Sequence, residues 1–268
     1  MSHPIWPIVT ENLAEQLSAA QGGVVHPIQL LPYLPISLHL AERVLDELAE
    51  SQRVEKQTQG GLTTYLFNES IHKTPHKFAP RNCVYSNEPL DDYEYSVLAP
   101  EIRQKVEAEL SLLAQNDIWP ADAVWQHELA YLSQNLNAPT SASDIAGHSR
   151  LSFKKVELRL NELKTLGALR FNNELQAWEE PPMRYPRPAY ARNDSFIRQF
   201  PGAIKEELEI RLVKGLSISL VILVIGLLLA VTAKLPFPFV LFGSLLIAFF
   251  VFLKIIKAPA KQLPDLNN

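Results

Sequence analysis

His72, His76 and Cys83 are the one group of potential metal ligands that falls close together in this sequence. Zinc takes four such ligands in tetrahedral array, and Pro75 breaks the helical pairing that would bring the two histidines onto one face. A fourth ligand is missing, so no metal site is expected. Phosphate chemistry has no better basis. Gly22-Gly23 reads as a helix stop and Gly60-Gly61 as a turn, and neither stands in a phosphate-cradling loop. The 29 Asp and Glu residues fall on helix faces, where solvated charge is their ordinary role. No catalytic residue and no cofactor is assigned, and a protein that is not an enzyme is expected.

The cations of residues 151–169, LSFKKVELRLNELKTLGAL, offer a different chemistry. Ser152, Lys154, Lys155, Arg159 and Lys164 share one predicted helix, and donors of this kind reach phosphate oxygens and base edges in a DNA groove. These five are the candidate DNA contacts. Whether they act as such depends on the elements that hold them and on the charge around them.

That helix belongs to an internal repeat. Shifted by 115 positions, Ser37, Glu42, Leu45, Glu47 and Leu48 fall on Ser152, Glu157, Leu160, Glu162 and Leu163 without a gap. In both copies a serine stands where an N-cap is wanted and apolar residues recur at helical spacing. Upstream of each lies a short helical piece, HPIQLLPYL or SASDIAGHS, and before that a longer one, TENLAEQLSAAQ or DAVWQHELAYLSQNL. Downstream, RVEKQTQGGLTTYLF turns at Gly60-Gly61 and ALRFNNELQAWEE at Asn172-Asn173, which are hairpin signals.

Three helices followed by a β-hairpin resemble a winged-helix domain, and both copies share the order, over about residues 8–68 and 120–180. The carrying pattern is L-x-E-L at Leu45–Leu48 and Leu160–Leu163, followed by a polar turn and the wing. The resemblance implies a mainly α fold with small β-hairpin wings. It does not by itself imply DNA binding, because a fold hosts many functions.

Charge argues for a protein partner. Residues 8–68 carry 3 Lys+Arg against 7 Asp+Glu, and residues 120–180 carry 6 against 8. Neutralisation of phosphates supplies most non-specific DNA affinity, and neither copy has the cations for it. In the first copy the outer side of the third helix shows Leu38, His39, Arg43 and two carboxylates. Leu38 and Phe153, at equivalent positions, suit an apolar protein contact better than a base edge. Leu38, His39, Arg43 and Phe153 are therefore the candidate protein interface. Packing of Leu38 and Phe153 against their own wings is the alternative.

The carboxyl-terminal fifth holds the strongest single signal. Residues 215–233 and 235–253 are two uncharged stretches of 19 residues each, about 29 Å long as helices, close to the hydrocarbon thickness of a bilayer. Only Lys234 separates them, so they form an antiparallel hairpin that lipid would surround. Small residues at Gly226, Ala230, Ser244 and Ala248 let the helices approach. Lys205, Arg211 and Lys214 precede the hairpin, and Lys254, Lys257 and Lys261 follow it, which places both termini in the cytoplasm. The amino-terminal MSHPIWPIVTENLAEQ lacks the charge-then-apolar order of a signal peptide. A single cysteine rules out an intramolecular disulfide and fits a reducing compartment.

The segments between these parts carry less. Residues 69–100 include an acidic aromatic patch, Asp91-Asp92-Tyr93-Glu94-Tyr95, and read as an ordered loop or interaction strand. A helix follows Pro100 with Ile102, Val106, Leu110 and Leu113 on one face. The prolines of residues 181–192 predict a stiff extended spacer. The expected organisation is a first winged-helix domain at 1–69, a linker with connecting helix at 70–118 and a second winged-helix domain at 119–180. A Pro/Arg-rich linker at 181–200 and a juxtamembrane helix at 201–214 follow. Spans at 215–233 and 235–256 lead to a tail at 257–268. The expected function is a membrane-anchored adaptor that binds a protein at the cytoplasmic membrane surface. A membrane-tethered DNA-binding regulator is the alternative, and homo-oligomerisation stays open.

Overall fold

The computed structural model of the protein describes residues 5–67, 108–112, 115, 119–136, 140–179, 181, 185–232, 236–258 and 263. The fold is mainly helical, with two small antiparallel sheets and two long apolar helices at the carboxyl-terminal end. Two compact units divide it. One holds the described residues of Met1–Ser149 and Phe153–Ile204, and the other holds Arg150–Ser152 with the described residues of Lys205–Leu263.

The first unit begins with α1 (Ile5–Ala20), whose Val9, Leu13, Ala14 and Leu17 are buried at helical spacing. Strand β1 (Val24–Val25) and a 3-10 turn (Pro27–Leu30) lead to α2 (Leu38–Glu50). Ser37 caps α2, its side chain accepting the Leu40 N–H at 3.2 Å. Strands β2 (Val54–Gln59) and β3 (Leu62–Phe67) then form a hairpin. Gly60 and Gly61 both adopt positive φ at its tip, the left-handed conformation that a two-residue hairpin turn requires. The sheet order is β1-β3-β2, with Val25 paired to Tyr65 and Lys56 paired to Tyr65 from the other side.

The second half repeats this order. Helix α3 (Trp119–Asn135) leads through Thr140 to α4 (Ala142–His148), α5 (Phe153–Thr165), β4 (Arg170–Asn172) and β5 (Ala177–Glu179). Thr140 bridges Trp178 just as Val25 pairs with Tyr65, and Phe171 pairs with Trp178 just as Lys56 pairs with Tyr65. Thr140 is Val25 shifted by 115 and Phe171 is Lys56 shifted by 115, so one sequence offset carries the repeat as far as the first hairpin strand, and the last strand, where Trp178 stands for Tyr65, is shifted by 113. Ala41 and Val156, Leu45 and Leu160, and Leu48 and Leu163 occupy equivalent positions, and all six are buried.

The two copies, expected as separate domains, share one unit because polar groups join them. The Thr63 N–H donates to the Gly167 carbonyl at 2.8 Å, and Thr63 Oγ1 lies 3.3 Å from the Leu166 carbonyl. A second join runs from the segment before α2 to α3. There the Leu38 N–H donates to Gln126 Oε1 at 2.6 Å, and His127 Nε2 lies 2.8 Å from the Ile36 carbonyl. Helix α6 (Arg187–Ile197) closes over this region, with Asn193 Nδ2 donating to the carbonyls of Leu31 and Pro32 at 2.8 and 3.2 Å.

Helix α6 corrects the expectation of an extended spacer at 181–192. Pro186 caps it and Pro188 sits in its first turn, where a missing N–H costs nothing. Ala189, Tyr190, Asn193 and Ile197 then bury a face that the proline count concealed. Of the helix expected after Pro100, residues 108–112 are helical and Leu110 is buried; Ile102, Val106 and Leu113 lie outside the described residues.

In the second unit, α7 (Lys205–Thr232) and α8 (Phe237–Lys257) are both long and apolar enough to cross a membrane. Helix α7 runs unbroken from the expected juxtamembrane stretch into the expected span. Gly226 faces Ser244, where an added Cβ would stand 2.7 Å from the Ser244 Cβ, so the helices meet as closely as small residues permit. Ala230, Ser244 and Ala248 are buried. Arg211 Nη1 donates to the Ala258 carbonyl at 2.6 Å, which satisfies one acceptor just past the end of α8.

Candidate functional site

The structure separates the expected interface residues. Leu38 is 1% exposed, because α3 lies over the first turn of α2 and Gln126 takes its amide proton. The expectation that Leu38 is an outward contact is corrected: it belongs to the core that joins the two copies. His39 and Arg43 are exposed, and His39 Nδ1 accepts from Gln126 Nε2 at 3.1 Å. Phe153, the equivalent of Leu38, is 52% exposed.

The expected DNA contacts separate too. Ser152, Lys154 and Lys164 are exposed and Lys155 is half-buried. Arg159 is turned inward, its guanidinium 4.6 Å above the Trp125 ring centroid and its Nη1 2.6 Å from Glu162 Oε2. It fastens α5 to α3 through that ring, unlike the outward Lys154 and Lys164. The residues His72, His76 and Cys83 and the patch Asp91–Tyr95 lie outside the described residues. No cluster of metal-ligating side chains occurs among the described residues.

Around Phe153 the second copy forms a groove of about 390 Å³ between α5, the β4–β5 hairpin and the start of α4. Phe153, Glu157, Asn161 and Lys164 line it from α5, and Phe171, Gln176 and Trp178 from the hairpin. Phe171 and Trp178 meet edge to face with ring centroids 5.1 Å apart. Gln176 holds φ of 51°, left-handed backbone that a non-glycine residue seldom adopts. The Asn161 side chain donates through Nδ2 to the Glu157 carbonyl at 2.9 Å, which leaves its Oδ1 as an acceptor.

The first copy has a groove of about 750 Å³ beside Asp46, Ala49 and Lys56, and there the chain supplies its own cation. Lys56 Nζ reaches from β2 to Asp46 at 2.7 Å and Glu42 at 3.5 Å, and stands 5.6 Å over the Tyr65 ring centroid. The Tyr65 hydroxyl donates to Asp46 at 2.5 Å. Partial burial pulls the Lys56 pKa down, but the Asp46 hydrogen bond and the charges of Asp46 and Glu42 outweigh it and hold the ammonium above its usual value.

A buried polar network lies where the copies join, and its members carry no periodic signal in the sequence. Gln126, His127 and Glu128 are successive polar residues of α3, all 1% exposed or less. The carbonyl of Ile36 can only accept, so Nε2 of His127 carries the proton and Nδ1 accepts from the Tyr185 hydroxyl at 2.5 Å. Asn193 Nδ2 donates to that hydroxyl at 3.1 Å, and Ser149 Oγ donates to Glu128 at 2.5 Å. Burial pushes the His127 pKa down to about 4, against smaller opposing effects of the Ile36 carbonyl and the Asp194 charge. The network is buried apart from its link to His39, so it holds the fold together.

Comparison with models of known protein families, with curated proteins and with solved structures gave no match.

Proposed function

We propose that the chain is a membrane-anchored adaptor whose two repeats are winged-helix modules, and that the second module binds a protein at the cytoplasmic membrane surface. The exposed aromatic groove at Phe153 carries this reading. Aromatic rings beside a helix that also exposes Leu158 are the composition of a protein contact, not of a phosphate-binding face. The helix, short helical piece, helix and hairpin of each copy, with a short strand in the first and a single bridge at Thr140 in the second paired to the last strand, support the module assignment. The membrane reading rests on α7 and α8. Leu216, Leu220, Val224, Phe242 and Phe250 are among many large apolar side chains they expose. The hydroxyls of Ser217, Ser219, Thr232 and Ser244 all lie within 3.0 Å of a backbone carbonyl, as a hydrocarbon environment requires. The lysines and arginine flanking the hairpin favour cytoplasmic termini.

The DNA-binding alternative retains Lys154 and Lys164 on the outer face of α5, without Arg159. Affinity capture of the full-length tagged protein from solubilised membranes, with and without nuclease, separates the two. A partner that survives nuclease and is lost in Phe153→Asp supports the adaptor. Capture of DNA, abolished by Lys154→Glu with Lys164→Glu, overturns it in favour of the regulator.

A further inference from the structure

The two copies hold the same box of groups, with a cation of the chain itself in one and none at the same position in the other. In the first, the ammonium of Lys56 sits among Asp46, Glu42 and the Tyr65 ring. The offset of 115 and the strand register turn these into Asn161, Glu157 and Trp178 in the second copy, and turn Lys56 itself into Phe171. The acceptors and the aromatic wall persist while the cation is gone. Two rings, Phe171 and the exposed Phe153, are added to the wall.

We propose that this groove receives a cationic side chain, arginine by preference, carried by the partner protein of the adaptor reading on which this inference rests. A guanidinium stacks on aromatic faces and presents a planar fork of donors, which suits two acceptors set one helical turn apart, Glu157 and Asn161. The cation must come from another chain because the position that supplies it in the first copy is Phe171 here. Lys164 lines the same groove about one turn beyond Asn161 and two turns beyond Glu157 on α5, so the Glu157 carboxylate is the acceptor left to the incoming charge. A groove of about 390 Å³ holds more than one side chain, so the flanking residues of the partner segment pack on Phe153.

The test uses the full chain in lipid nanodiscs and acetylated, amidated peptides Ala-Ala-Xaa-Ala-Ala, with Xaa arginine, lysine, citrulline, norleucine or glutamate. The Trp178 indole N–H resonance reports binding. The arginine peptide should shift it saturably and bind about tenfold more tightly than citrulline or norleucine, the scale of one ion pair with one cation–π contact. Glu157→Gln, an exposed change that leaves the fold intact, should remove that preference. Phe171→Lys should restore the internal cation of the first copy and block the peptide, with a melting temperature no lower than that of the parent. A lysine peptide equal to arginine still supports a cation site. Equal binding of norleucine or citrulline, a preference for glutamate, or no saturable shift overturns it. Partner capture by the wild type that is undiminished in Glu157→Gln sinks the site and leaves the adaptor. Arginine binding without any captured partner does the reverse.

Discussion

Gly167→Ala tests whether the joint between the two copies stabilises the fold. Gly167 lies at φ of 67° in the turn after α5, and an added Cβ would stand 2.8 Å from the Thr63 backbone nitrogen. Two costs follow. Alanine in left-handed backbone costs about 1 to 2 kcal/mol. Thr63 must also retreat, and its N–H, which donates to the Gly167 carbonyl at 2.8 Å, is left unpaired at a buried residue for about 1 to 3 kcal/mol more. Gly22→Ala supplies the control, since Gly22 has φ of 72° and nothing within 4 Å of an added Cβ, so it bears the backbone cost alone. For a unit of this size 1 kcal/mol moves Tm by roughly 2 to 4 °C. Thermal melting of the full-length protein in detergent, followed by near-ultraviolet circular dichroism, should drop by roughly 5 °C for Gly22→Ala and roughly 10 °C or more for Gly167→Ala. Equal drops would refute the joint as a stabilising contact.

Other expectations follow from the same geometry. Leu38→Asp and Leu163→Asp should both unfold the first unit, because each buries an unpaired charge, while Phe153→Asp should melt within a few degrees of the parent; a normal melt for Leu38→Asp would contradict its burial under α3. His127 is neutral in the fold and its pKa is pushed down to about 4, so between pH 6.5 and 4 the unfolded chain takes up a proton that the folded chain refuses. Stability should fall across that window by about 1.4 kcal/mol per pH unit, to a total near 3 kcal/mol, and the pH slope of the melting temperature should flatten there in His127→Gln. Gly226→Val should loosen the α7–α8 pairing, read as a gain in cysteine accessibility at a Cys introduced at Ala248. Reporters that work only in the cytoplasm should be active at either terminus, and activity at one end alone would break the paired-span reading.

The repeat was legible because its evidence is a ladder of core letters. Leu45 and Leu48 recur as Leu160 and Leu163, and helix burial follows spacing. The two apolar helices were legible for the same reason, as length and composition alone define them. What escaped was set by contacts between residues far apart in the chain. Leu38 and Phe153 occupy the same position in the same pattern, yet one is enclosed and the other is not, and the enclosed one meets Gln126 from 88 positions away. Arg159 looked like an outward cation at helical spacing, but the Trp125 ring beneath it is invisible to periodicity. Helix α6 was hidden by its prolines, which fall at the helix start where they are harmless. The groove had a signal that went unused: the exchange of Lys56 for Phe171 at the 115-residue offset.

One consequence of the joint concerns how many partners the protein can hold. Two copies of a module with different outer residues suggest two contacts, one per copy. The structure encloses Leu38, the place of the first of these, under α3, and Lys56 pairs with Asp46 and Glu42 beside it. On the adaptor reading proposed above, the place of Phe153 in the first copy is enclosed, while Phe153 itself stays exposed in the second. A single partner contact per chain is the expectation. Cross-linking through a photoreactive residue at Phe153 should therefore trap a partner, and the same residue at His39 or Arg43, exposed in the first copy but beside the covered face, should trap none. A distinct partner at Arg43 would show that the first copy still binds on its own account, and that its enclosure by α3 is not its function.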